Sequence, residues 1–143
     1  MILIDANLLL YAHDSDSPHH SPARIWLEST LSGPEPTALA WTVILAFLRI
    51  STDPRIVRKP LSISQASNLV AEWMRNPEVT VLAPGVRHWG LLERAVVEGR
   101  VSGKLIMDAH LAALAIEHGA TIATSDRGFA RFPGLRLINP LRD

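Results

Sequence analysis

Three carboxylates in this sequence stand where chemistry is most readily done: Asp5, Asp108 and Asp126. Asp5 follows the apolar triplet 2–4, and Asp126 follows the short apolar run 121–123, so each is expected at the carboxyl end of a strand. In an open parallel sheet that edge holds the ligand. Asp108 falls in the first turn of a helix expected over 106–118. A crossover helix runs antiparallel to its strands and so begins at the same edge. Asp108 also shares a helical face with Leu111, Ala112 and Ala115, at spacings i+3, i+4 and i+7, which sets a charge on an apolar stripe. Crowded, desolvated carboxylates are costly unless they protonate or a cation joins them. Magnesium suits such a cluster, because it takes one or two carboxylates and completes its shell with water and substrate phosphate. Taken singly, each aspartate also reads as a helix N-cap. Convergence of all three on one rim is what capping does not require.

The elements that must position them alternate in type. Strands are expected at 2–4, 37–40, 79–82, 121–123 and 135–138. Helices are expected from Asp5 onward, over 21–31, over 42–50 as a nearly all-round apolar and therefore buried segment, from a Ser62 or Ser64 cap to Met74, over 86–98, over 106–118 and briefly after Asp126. Gly119 ends the helix that carries Asp108. Short strands separated by helices predict an α/β fold, a parallel sheet covered on both faces. Residues 1–143 show no linker, repeat or low-complexity tract and read as one domain.

Composition narrows the chemistry. With no cysteine there is no disulfide framework, thiolate zinc site or thiol nucleophile, which leaves carboxylate or imidazole metal chemistry and suits a reducing cytoplasm. The start, Met-Ile-Leu-Ile-Asp, lacks the basic and apolar regions of a signal peptide. The longest apolar stretch, 38–48, is too short for a membrane span of about 20 residues, so no membrane association is expected. Formal net charge is +0, so no global nucleic-acid footprint exists. The local exception is Arg49, Arg55, Arg58 and Lys59 around Asp53, a cluster suited to phosphate or an acidic partner. Gly-x-Ser-x-Gly, P-loop and Rossmann glycine patterns are absent.

The segments Leu3-Ile-Asp-Ala-Asn-Leu-Leu-Leu-Tyr-Ala, Met107-Asp-Ala-His-Leu-Ala-Ala-Leu-Ala and Thr124-Ser-Asp-Arg-Gly-Phe resemble the three anchor motifs of PIN domains in order and spacing. The stretch from Trp41 to Arg49, leading to Thr52-Asp-Pro, is similar to VapC-type toxins, which are ribonucleases. The resemblance implies a three-layer PIN-like fold with strand order 3-2-1-4-5. It implies metal ligation by Asp5 and Asp108, with Asp126 completing a catalytic acidic site. Asn7, Thr124 and Arg49 resemble residues that position substrate phosphate or ligands. The implied cofactor is Mg2+, with Mn2+ as a substitute. The implied partners are an RNA substrate, a VapB-like antitoxin and a second copy of the chain.

One position departs from the pattern. Many PIN domains carry a glutamate three residues before the arginine of the central helix, where this chain has Ala46, and no acid occurs from 37 to 52. The site is thus short one carboxylate. The alternative reading is a degenerate domain that binds protein or RNA without cleaving. The remaining features read as structural. His19 and His20 lie in a Ser- and Pro-bearing loop, and His110 faces away from Asp108 on its helix. Trp26, Trp41, Trp73 and Trp89 suit core or dimer packing better than base stacking.

Overall fold

The structure, a computed structural model, describes residues 1–142. Five strands form one wholly parallel sheet: β1 (Ile2–Ile4), β2 (Thr37–Ala40), β3 (Val79–Leu82), β4 (Thr121–Ala123) and β5 (Arg136–Ile138). Their order is β3-β2-β1-β4-β5, as the resemblance implied. The chain therefore steps outward from β1 in one direction and then reverses to place β4 on the other side of β1. Right-handed crossovers in two directions put helices on opposite faces of the sheet. The helices sort accordingly: α1 (Ala6–Ala12) packs on both α2 (His20–Ser32) and α3 (Trp41–Ser51), and α3 packs on α4 (Ile63–Arg75). α5 (His88–Gly99) packs on α6 (Ile106–His118).

Strands buried on both faces need apolar residues without alternation. Leu3, Ile4, Ala38, Leu39, Ala40, Ile122 and Ala123 are all buried, and they form the floor of the site. The edge strands are more exposed. On the α1–α4 side, Phe47 packs edge-on against Trp73 at 4.8 Å between ring centres, anchoring α3 to α4. Ser62 caps α4 through a reciprocal pair with Gln65, as the Ser-x-x-Gln spacing dictates. Gly119 closes α6 with a φ of 68°, a left-handed conformation glycine adopts without cost.

Three expectations need correction. The helix expected over 86–98 begins at His88, because the Glu117 carboxylate accepts hydrogen bonds from the backbone N–H groups of Gly85 and Arg87 and holds that segment in a turn. Helix α3 is buried on one side only: Val43, Ile44 and Phe47 are covered, but Trp41 is 55% and Leu45 59% exposed. Its apolar sequence therefore serves two faces, of which the chain itself covers one. Asp108 is not an N-cap. Leu105 holds that position and Asp108 stands two residues inside α6, which leaves its carboxylate free of any capping bond.

Candidate metal and phosphate site

Register builds the site. Ile4 of β1 lies beside Ala123 of β4, and the Asp5 N–H donates to the Ala123 carbonyl at 3.0 Å. The next residues, Asp5 and Thr124, are thereby set side by side where the strand order reverses. This crevice is the expected ligand position of a doubly wound sheet. Thr124 is 3% exposed, and its hydroxyl is fully engaged. It donates to Asp5 Oδ2 at 2.7 Å and accepts from Asn7 Nδ2 at 3.3 Å and from the Asp126 N–H at 3.0 Å. One donor and two acceptor lone pairs are all a hydroxyl has. Three elements are tied through one oxygen atom.

Asp5 caps α1, its Oδ1 accepting from the Ala6 N–H at 2.8 Å. Asp126 caps the 3-10 turn Arg127–Arg131, with Oδ1 accepting from the Gly128 N–H at 2.8 Å. Both are thus caps and neighbours of the acidic rim at once. Asp5 and Asp108 line one pocket of about 460 Å³, together with Thr42, Ala46 and Arg49. Asp126 lines an adjoining pocket of about 350 Å³ with Thr124, Arg127 and Asn139.

Asp5 and Asp108 both feel burial and neighbouring charge. Burial pushes the Asp5 carboxyl above its ordinary range, opposed by the hydrogen bonds from Thr124 and Ala6 and reinforced by the charge of Asp126. Asp108 is pushed up to about 6, first by burial and then by the charges of Asp5 and Asp126. Arg131 partly relieves Asp108. Sequence reasoning missed Arg131, since its position in a short 3-10 turn after Asp126 carries no periodic signal.

The residues fit a hard divalent cation. Two carboxylates held above their ordinary range by burial share a pocket, Asp108 being pushed further by the charge of Asp5. A cation or its water shell supplies what both lack. Among the described residues no three acidic or imidazole groups form a ready-made cage. A hard cation that keeps several waters and recruits phosphate needs only one or two carboxylates, which Asp5 and Asp108 supply. Ala46 lies in the pocket wall, so the position where relatives of the resemblance carry glutamate faces the acids here without a charge.

The remaining residues fall where follows. Arg49, exposed and without an ion pair among the described residues, reaches the same pocket as Asp5 and Asp108. His110 turns away, its Nδ1 lying 3.0 Å from Nε2 of His88 between α6 and α5. Trp73 is in the core and Trp26 packs against it, whereas Trp41 and Trp89 are exposed.

Fold and site together define a PIN domain, and the PIN-domain family model matches residues 2–135. The chain belongs to this family. It is 41% identical over 140 residues to Ribonuclease VapC37 of Mycobacterium tuberculosis, covering 98% of this chain and 97% of that protein. Among solved structures it is similar to VapBC2 from Rickettsia felis bound to a promoter DNA fragment, with a TM-score of 0.71 at 18% identity over 97% of this chain and 98% of that one. It is also similar to Mycobacterium tuberculosis VapC20, a sarcin-ricin loop cleaving toxin, with a TM-score of 0.66 at 16% identity, covering 95% of this chain and 99% of that one. No helix among the described residues is long and apolar enough to cross a membrane.

Proposed function

We propose that this chain, acting as one domain, is a magnesium-dependent endoribonuclease and the toxin of a toxin-antitoxin pair. The observation that carries the reading is the pairing of Asp5 with Asp108 in one pocket beside Arg49 at the switch point of the sheet. The names of its relatives supply the substrate class.

In this reading Asp5 and Asp108 hold the ion, and Mn2+ can replace Mg2+. When bound, the ion supplies a Lewis acid that activates water and neutralises charge on phosphoryl oxygens. Asp126 orients the attacking water opposite the leaving ribose oxygen. Asn7 and Arg49 position the phosphate, and Thr124 keeps Asp5 ionised and aimed by donating to it. The exposed Trp41 and Leu45 on α3 form an apolar face suited to a second copy of the chain. A VapB-like antitoxin would restrain the enzyme by covering the acidic pocket.

The test is incubation of purified, antitoxin-free protein with total RNA and Mg2+ or Mn2+, followed by sequencing of the new ends. Discrete new ends that vanish with chelator are expected. Ala46 favours a second reading, a domain that binds without cutting, and absence of new ends in either metal would establish it over the first.

A further inference from the structure

A third pocket, of about 470 Å³, is bordered by Asn7, the neighbour of Ala6 in the acidic pocket. One wall comes from α1 and the loop after it: Asn7, Leu10 and Tyr11 share a helical face at spacings i, i+3 and i+4, and Asp14 follows beyond the end of the helix. The other wall comes from the end of α3 and the loop after it, chiefly Ser51, Ile56, Val57 and Lys59. Ala6 borders the acidic pocket and Asn7 this one, so the two are contiguous through one turn of α1.

Its polar content is unusual. Ser51 is 7% exposed, yet its Oγ has no hydrogen-bond partner, and the Oδ1 of Asn7 is likewise buried and unpartnered. Of the three buried side-chain atoms left unsatisfied among the described residues, two therefore border this pocket. Buried polar atoms are nearly always paired, and an unpaired one signals a missing partner. Asp14 adds a carboxylate from the loop that follows α1. Its Oδ1 is used by the Asp16 N–H. Lys59 stands at the rim, with no ion pair among the described residues.

Apolar walls with hydrogen-bonding atoms at the edges match a flat heterocycle. Sequence-specific RNA recognition works by splaying single bases into such sites, against aromatic and aliphatic side chains. The neighbours Ala6 and Asn7, and likewise Arg49 and Ile50, divide between the two pockets, so a chain in the acidic pocket can extend into this one. We propose that this pocket receives the base of a nucleotide flanking the scissile phosphate, with Lys59 on the neighbouring phosphate. The inference rests on the ribonuclease reading above and adds the subsite that would give it sequence preference. Asn7 Oδ1 and the Asp14 carboxylate only accept hydrogen bonds. The Ser51 hydroxyl can donate or accept, so acceptors outnumber donors in the lining, and the favoured base is one bearing an exocyclic amine (adenine, cytosine or guanine) over uracil.

The test uses the full chain and a short RNA spanning a cleavage position mapped in total RNA, with each flanking nucleotide in turn made abasic or changed to uridine. One position is expected at which the abasic and uridine substrates lose tenfold or more in kcat/KM with the wild-type protein. Two variants then probe the pocket: Ser51→Ala removes the buried hydroxyl, and Ile56→Trp fills the mouth from an exposed position that tolerates a larger side chain. Both should lose several-fold on the intact RNA and nothing further on the abasic one. Cleavage that is insensitive to every abasic position, or variants that cut intact RNA like wild type, would overturn the assignment and give the pocket to a protein partner. If no RNA is cut in either metal, the ribonuclease reading fails and this subsite with it.

Discussion

The Thr124 hydroxyl donates a 2.7 Å hydrogen bond to Asp5 Oδ2 across the β1–β4 junction, joining residues 119 positions apart in sequence. Together with the bond from the Ala6 N–H, it opposes the upward push of burial on the Asp5 carboxyl. Thr124→Val keeps the shape and removes the donor. Loss of the bond to Asp5 alone should cost about 2 kcal/mol of stability near pH 7, the usual worth of a hydrogen bond to a charged group, readable by urea denaturation. The two bonds the hydroxyl accepts from Asn7 and the Asp126 N–H add to that cost. The substitution should also move the acid limb of the pH-rate profile to higher pH, since Asp5 would ionise later. Thr124→Ser should restore both.

Asp5→Asn and Asp108→Asn each remove a proposed metal ligand while conserving volume. Cleavage should fall by more than the roughly 10–100-fold that loss of an outer-shell partner costs. Far-ultraviolet circular dichroism should be unchanged. Undiminished cutting by both variants would remove these residues from the mechanism.

Asp108 makes a pH prediction with a definite sign. Its folded-state pKa is raised from 3.8 to about 6. Between those values the folded chain binds more protons than the unfolded one, so this group's contribution to stability declines as pH rises and reaches its full cost above about 6. Without divalent ions, Asp108→Asn should therefore be more stable than wild type at pH 8. The gain should be on the order of 1 kcal/mol once solvent screening of a half-exposed group is allowed for, and it should disappear near pH 4. Added Mg2+ should raise the wild-type melting temperature at pH 8 and have little effect on the variant.

Ala46→Glu places a third carboxylate in the wall shared by Asp5 and Asp108. The metal-free protein should lose stability, because like charges then crowd further. Calorimetric titration should show Mn2+ binding tightened about tenfold or more. Unchanged Mn2+ affinity would mean that position 46 does not address the ion.

Trp41 and Leu45 stand one helical turn apart on the exposed side of α3. If this face pairs two copies, the double change Trp41→Ser with Leu45→Ser should convert a dimer to a monomer in sedimentation velocity, with the melting transition of the monomer still cooperative. A wild-type protein that sediments as a monomer at all concentrations would refute the pairing.

Much of this was legible before any coordinates. The runs at 2–4, 37–40, 79–82 and 121–123 are strands with the bounds that composition indicated, because short runs of apolar and β-branched residues between helices and turns announce themselves. Composition was a poorer guide to α3. An apolar helix reads the same whether its second face meets the core or solvent, so the exposure of Trp41 and Leu45 had no signature in sequence. The start of α5 was misplaced for a related reason: the Glu117 carboxylate that holds the preceding turn lies 32 residues from Gly85.

The sequence by itself determined which residue types could meet at the strand ends, and periodicity alone was enough to aim Asp108 at the apolar side of its helix. Tertiary structure decided what those residues are to one another. Pairing of Ile4 with Ala123 makes Thr124 the common partner of Asp5, Asn7 and Asp126. Packing of the loop after α3 on α1 leaves Ser51 and Asn7 with unpaired atoms beside a third pocket. Register and burial are properties of chain segments distant in sequence and close in space. Local pattern encodes the face a side chain takes, while the neighbours it finds there depend on how the sheet closes.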